Sequence, residues 1–120
     1  MTAKQPRAYE HTFRSRARRL ISRARSRAIA KGLAFAISIA VIEEKLAEGV
    51  CEVSGIPFYI GEGRSPFAPS LDRKDPNQGY TDENTQLVCF NYNTSKQEFT
   101  HADVMTMARA LCAREDRECV

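Results

Sequence analysis

The chain has 120 residues, 42% hydrophobic and 28% charged, which suits one domain with one modest core and argues against a disordered chain. Its longest apolar stretch, Leu33 to Ile42, is far too short to span a bilayer, and its basic N-terminal segment lacks a secretory pattern. The formal net charge of +3 hides a segregation: seven arginines and one lysine lie between Arg14 and Lys31 with no acidic residue among them, leaving −5 on the rest.

Residues 1–12 are polar, contain Pro6 and read as a flexible tail, with His11 inside it. From Phe13 onward the apolar and small residues recur at helical spacing. Phe13, Ala17, Leu20, Ile21, Ala24 and Ala28 form one narrow face of a helix over 13–31 that Gly32 can close. Leu33, Phe35, Ile37 and Ile39 alternate with small residues, which predicts a brief extended piece. A second helix over 39–48 follows, with Ser38 as cap, Ile39, Ile42 and Leu46 inward, and Gly49 as its stop.

Residues 51–80 have the Gly, Pro, Ser and aromatic texture of turns and short strands. Gln86 to Phe90 is a short apolar run, and a helical turn is expected to start near Asn91. Thr100 and Asp103 have capping-box spacing for a closing helix over 101–113, with Val104, Met107, Ala108 and Leu111 as its buried stripe. Residues 114–120 read as a charged tail. The expected fold is a single α+β domain over 13–113.

The segment Ser70 to Lys96 carries the chemistry. It contains Asp72-Arg73, then Gly79-Tyr80-Thr81, then Asn84-x-x-Leu87-x-Cys89, then Asn93-x-x-Lys96. Upstream, Cys51-Glu-Val-Ser-Gly-Ile-Pro-Phe58 has the look of a cysteine knuckle. Together these elements resemble the HNH (ββα-metal) endonucleases, especially small phage and prophage-type members. The resemblance covers residues 51–96, and several elements at workable spacing make it more specific than any one short match.

The resemblance implies a metal-dependent DNA endonuclease or nickase that hydrolyses phosphodiester bonds. The fold would be a long basic N-terminal helix, a second helix, a ββα-metal finger and a closing helix. Asp72 and Asn93 would offer oxygen ligands to Mg²⁺ or Mn²⁺. Asn84 would tie the loop to its strand, and Gly79 and Tyr80 would set the loop's shape.

Position 73 departs from the pattern, since the family has a histidine there as general base. Arginine stays protonated and cannot take a proton, although it can clamp a phosphate. Asp75 and the more distant His101 are candidate substitutes.

Complete zinc-binding relatives use two Cys-x-x-Cys knuckles. Here the positions read Cys51 with Ser54 and Cys89 with Tyr92, so no structural zinc is expected and the two thiols should be buried face to face. Cys112 is expected in the core and Cys119 in the tail. All four cysteines read as reduced thiols, consistent with a cytoplasmic protein, and the resemblance implies one that is phage- or prophage-encoded.

Double-stranded DNA is the expected partner, with no membrane partner. Arg14, Arg16, Arg18, Arg19, Arg23, Arg25, Arg27, Lys31 and Lys96 are the expected backbone contacts. Two other readings stand beside the nuclease. One is a catalytically silent DNA-binding module, and the other is a module whose basic helix docks on an acidic protein.

Overall fold

The computed structural model describes the backbone of residues 4–118 and the side chains of residues 13–117. Helix α1 spans Lys4–Lys31. It therefore begins well before Phe13, and Pro6 is tolerated because it falls in the first turn, where no intrahelical N–H bond is lost. The expected tail over 1–12 is thus largely helical backbone, residues 1–3 lying outside the described set. Phe13, Ala17, Leu20, Ile21, Ala24 and Ala28 are all buried, as their spacing predicts. Gly32 closes the helix at φ +67°, and the Leu33 N–H returns to the Ala28 carbonyl at 2.9 Å.

Strand β1, Phe35–Ala36, is the expected extended piece, and Leu33, Phe35, Ile37 and Ile39 all pack against the core. Helix α2, Ile39–Glu48, buries Ile42 and Leu46 and ends at Gly49 in the left-handed region. Ser38 occupies the cap position without a side-chain cap bond. Its backbone N–H instead meets Asp82 Oδ1 at 2.9 Å, which ties the helix start to the later loop.

After a turn-rich stretch come β2 (Pro69–Arg73), β3 (Tyr80–Thr81) and β4 (Thr85–Cys89). β2 and β4 pair antiparallel, with Leu71 opposite Leu87 and Asp72 opposite Gln86. β1 pairs with β3 in parallel, Phe35 against Tyr80. Helix α3, Phe90–Lys96, leaves β4 with no intervening residue. This β2–loop–β4–α3 unit is the ββα frame, and α1 lies across it.

Helix α4 spans His101–Glu118, so the charged tail expected from residue 114 is helical through Glu118. Its capping box forms as predicted: the Thr100 N–H reaches Asp103 Oδ2 at 3.0 Å and the Asp103 N–H reaches Thr100 Oγ1 at 3.2 Å. Hydrogen bonds from the Thr100 N–H and hydroxyl hold the Asp103 carboxyl below its ordinary value. The predicted buried stripe is corrected. Met107 and Leu111 are 62% and 63% exposed, and Cys112 is exposed rather than core. Helical spacing identifies an amphipathic face correctly, but α4 rests mainly on the short α3 and nothing covers the outer part of that face.

Gly79 shows why the loop between β2 and β4 needs its glycine. A Cβ there would lie 2.9 Å from the Ala34 amide nitrogen and closer still to the Ala34 carbonyl oxygen, both backbone atoms that cannot swing aside. The close approach lets the Tyr80 N–H reach the Ala34 carbonyl at 2.9 Å. Gly79→Ala is therefore expected to lower stability by about 1–3 kcal/mol, as overpacking does. Urea denaturation giving an unchanged midpoint would contradict that close packing.

Candidate active site

Asp72 and Arg73 close strand β2, and Lys96 closes α3 directly beneath them. Lys96 is 1% exposed and Asp72 3%. The ammonium donates to Asp72 Oδ1 at 3.1 Å and Oδ2 at 2.9 Å, and to the Arg73 carbonyl. Lys96 was expected on the DNA-facing surface. That expectation is corrected: its charge is consumed inside the frame, joining the last turn of α3 to the end of β2.

Asp72 Oδ2 also accepts from Gln86 Nε2 at 2.9 Å. Gln86 was not foreseen, because only the strand register places it opposite Asp72. An ionised carboxylate has about four lone-pair directions. Lys96 and Gln86 take three of them, which leaves one.

Asn93, one turn before Lys96, donates through Nδ2 to Ser70 Oγ at 2.8 Å and to the Leu71 carbonyl at 2.9 Å. Because a carbonyl can only accept, these bonds fix the amide's orientation and leave Oδ1 for the cleft that Asn93 lines. Asp72 thus retains one lone-pair direction and Asn93 one oxygen, a pair that suits a hard cation whose other positions go to water and phosphate oxygens. Among the described residues there is no group of three or more His, Cys, Asp or Glu placed to hold a metal. The donor set therefore fits a cation shared with a substrate and does not form a closed cage.

The loop between β2 and β4 is organised by Asn84. Its Oδ1 accepts the Asp75 N–H at 2.9 Å, and its Nδ2 donates to the carbonyls of Gly79 (2.8 Å) and Asp75 (3.2 Å). The expected role of tying the loop is carried by these three bonds. Arg73 braces the same loop from below, with Nη1 donating to the Pro76 carbonyl and to that of Gln78 at 3.2 Å. Its guanidinium lies 5.5 Å from the Tyr80 ring centroid. Arg27, from α1, donates to the Tyr80 hydroxyl at 3.1 Å and to the Leu71 carbonyl at 3.3 Å. The basic helix is therefore fastened to the end of the ββα frame.

These groups surround a cleft of about 460 Å³ bordered by Arg27, Lys31, Asp72, Arg73, Asn93 and Glu98. Glu98 was missed by sequence reasoning, since it lies just past α3 and outside the motif. The two proposed substitute bases lie elsewhere. Asp75 spends its carboxylate on the Asn77 N–H and on Gln78 Nε2, which makes it a turn-forming residue. The His101 ring pairs with the Tyr92 hydroxyl at 2.9 Å, and neither residue borders the cleft.

The arginines of α1 divide into two stripes. Arg16, Arg19 and Arg23 border a neighbouring cleft, and Arg27 and Lys31 border the one beside Asp72 and Asn93, so these five share one side. By the same helical period Arg14, Arg18 and Arg25 fall on the other side of the buried face. There Arg14 pairs with Glu43 at 3.2 Å, and Arg25 stacks 4.9 Å over Phe35.

The four knuckle positions do converge. Cys51 and Cys89 are both buried, and the Cys89 N–H points at Cys51 Sγ at 3.3 Å. Burial would raise the Cys51 pKa. The Ser54 hydroxyl and the N–H groups of Cys89, Val53 and Ser54 outweigh it and lower the thiol from its ordinary value. Cys89 is pushed up to about 11 by burial and by Cys51, and Tyr92 up to about 12 by burial and by the Asp72 and Cys51 charges. The knuckle's N–H···S geometry thus persists with serine and tyrosine where two thiolates would stand.

No family profile and no curated protein matches the chain. A solved structure, that of the rare-cutting HNH restriction endonuclease PacI, superposes on 87% of this chain and 82% of its own, with a TM-score of 0.56 and 19% identity. The chain has an HNH-like fold. It is a mixed α+β fold, with four helices and two small sheets among the described residues. Among the described residues no helix is long and apolar enough to cross a membrane.

The Lys96–Asp72 pair yields a direct test. Lys96→Met strands a buried carboxylate and is expected to cost about 3–5 kcal/mol. The double variant Asp72→Asn/Lys96→Met removes both charges and should recover much of that loss. Chemical denaturation finding the double variant no more stable than Lys96→Met would mean that the pair is not the linkage described.

Proposed function

We propose that the chain is a DNA endonuclease that hydrolyses one phosphodiester strand at the cleft between α1 and the ββα frame. The observation that carries this reading is the meeting, in one cleft, of two hard oxygen donors, Asp72 and Asn93, with the cationic side chains of Arg27, Lys31 and Arg73. Phosphodiester hydrolysis needs charge placed where the phosphate becomes more negative, and positions fixed before the reaction begins.

A divalent cation such as Mg²⁺ or Mn²⁺, held by Asp72 and Asn93, would neutralise charge on the phosphate and the leaving oxygen. The protein's own residues do the rest. Arg27 and Lys31 hold the backbone that enters from α1. Arg73, fixed through Nη1 and the Tyr80 ring, keeps its remaining N–H groups for a phosphate oxygen. Glu98 takes the proton of the attacking water, because besides Asp72 it is the carboxylate bordering the cleft, and Asp72 is engaged by Lys96 and Gln86.

A second reading, a DNA-binding module without catalysis, is favoured by one observation. The histidine expected at position 73 is an arginine braced into the loop, and among the described residues no histidine borders the cleft.

A plasmid-nicking assay with Mg²⁺, Mn²⁺ or EDTA separates the two readings. Cation-dependent cleavage is expected, lost in Asp72→Ala and lowered about 10²–10⁴-fold in Glu98→Gln, the range of general-base catalysis. Asp75→Asn should cut as the wild type does if its loop stays folded. Cleavage that survives Glu98→Gln but not Asp75→Asn would move the base to Asp75. The absence of cleavage with any cation would leave the binding module.

The two arginine stripes make a separate prediction. Each phosphate contact contributes about −0.9 to the log–log salt dependence of DNA affinity. Replacing Arg16, Arg19, Arg23 and Arg27 with glutamine should flatten that slope, whereas replacing Arg14, Arg18 and Arg25 should change it little. Equal flattening by both sets would place the contact surface around the whole helix.

A further inference from the structure

Strand β4 ends with Leu87, Val88 and Cys89 all buried, but the next residue, Phe90, is 42% exposed. Its backbone is nonetheless fixed: the Phe90 N–H meets the Ala68 carbonyl at 2.7 Å, and the Asn91 N–H meets that of Pro66 at 2.9 Å. The loop they hold is itself braced, with the Tyr59 hydroxyl donating to the Glu62 carbonyl at 2.7 Å and the Tyr59 N–H to the Phe67 carbonyl at 3.0 Å. That loop carries Arg64, whose guanidinium lies 6.0 Å from the centre of the Phe90 ring.

Phe90 also stands at a junction. It borders the catalytic cleft, a second cleft of about 850 Å³ shared with Arg16, Arg19, Arg23 and Arg64, and a smaller recess of about 260 Å³ beside Arg64. Glu62 borders the second cleft as well, so the cations outnumber the carboxylate four to one there. Burial and repulsion from Arg19 lower the Arg16 pKa, a crowding that an anionic backbone would relieve. The same face of α1 runs on through Arg27 and Lys31. A strand held along it passes the Phe90 ring just before it reaches the catalytic cleft.

We propose that Phe90 and Arg64 form a stacking platform for a nucleobase displaced from the DNA duplex next to the phosphate that is cut. The location rests on the nuclease reading, and the choice of ligand rests on the platform's chemistry. An aromatic face and a guanidinium plane both stack on nucleobases. Inside a duplex the base faces are covered by their neighbours, so a flat exposed ring gains only from a base that has left the stack.

The test is binding by the full chain in EDTA at fixed salt. The probes are a fully paired duplex and the same duplex carrying one unpaired 2-aminopurine. Wild type is expected to bind the second about tenfold more tightly, within the range one base–aromatic stack supplies, and to quench its fluorescence. Phe90→Leu should bring the ratio of the two Kd values close to one, Phe90→Trp should keep it, and Arg64→Gln should reduce it. Thermal melts check that each variant is folded.

A ratio near one in wild type, a ratio unchanged in Phe90→Leu, or no DNA binding at all overturns the platform. Adding Mg²⁺ or Mn²⁺ to the same duplexes separates the two readings. Preference without cleavage removes the nuclease and supports the platform, and cleavage without preference does the reverse.

Discussion

An ammonium group taken almost wholly out of water must find acceptors for its three protons, and Lys96 finds them in Asp72 and the Arg73 carbonyl. The geometry of the site follows from that requirement. The end of β2 can go only where the last turn of α3 delivers the charge. Asn93, one turn earlier on the same helix, is then carried to Ser70 and Leu71, and its free oxygen to the cleft. The pair also decides the electrostatic character of the site. A carboxylate already neutralised by a lysine attracts a lone cation weakly.

How much of this can be read from the residues alone depends on whether the deciding contact is local. The buried face of α1, the extent of α2 and the capping box at Thr100 and Asp103 are set by neighbours within a few positions, and the expectations for them hold. Motif spacing likewise locates Asp72, Asn84 and Asn93. Gln86 is invisible because only strand register sets it opposite Asp72, and Glu98 and Phe90 because the course of α3 brings them to the cleft. Lys96 was legible as a motif residue, but its role was not, since the sequence does not show which lysine the fold will bury. The stripe on α4 failed for a related reason: periodicity gives the apolar face of a helix and leaves open what covers it.

The arginine run teaches a similar lesson. Eight cations within eighteen positions read as one surface, yet the period of the helix splits them around the buried face. Arg27 illustrates how the side facing the cleft is used. It gives one N–H to Tyr80 and another to the Leu71 carbonyl, so the basic helix is bolted to the loop that shapes the cleft. Tyr80 in turn lies within reach of both Arg27 and Arg73, joining the basic wall to the braced loop.

The two sheets close chain loops of very different length. β2 meets β4 with Arg73 opposite Thr85, twelve residues apart, while β1 meets β3 with Phe35 opposite Tyr80, forty-five apart. Closing the longer loop costs about 1 kcal/mol more in chain entropy, and it gains only a two-residue pairing in return. The hairpin and α3 therefore rest on the more local contacts, and the docking of the N-terminal segment on the more distant ones. Asp72, Asn93 and Lys96 come together within the hairpin and α3, whereas Gly79 against Ala34 and Arg27 against Tyr80 need the N-terminal segment. Because Lys96 belongs to that local unit, the ββα frame carries its own counter-charge to Asp72, independent of anything the N-terminal helix brings.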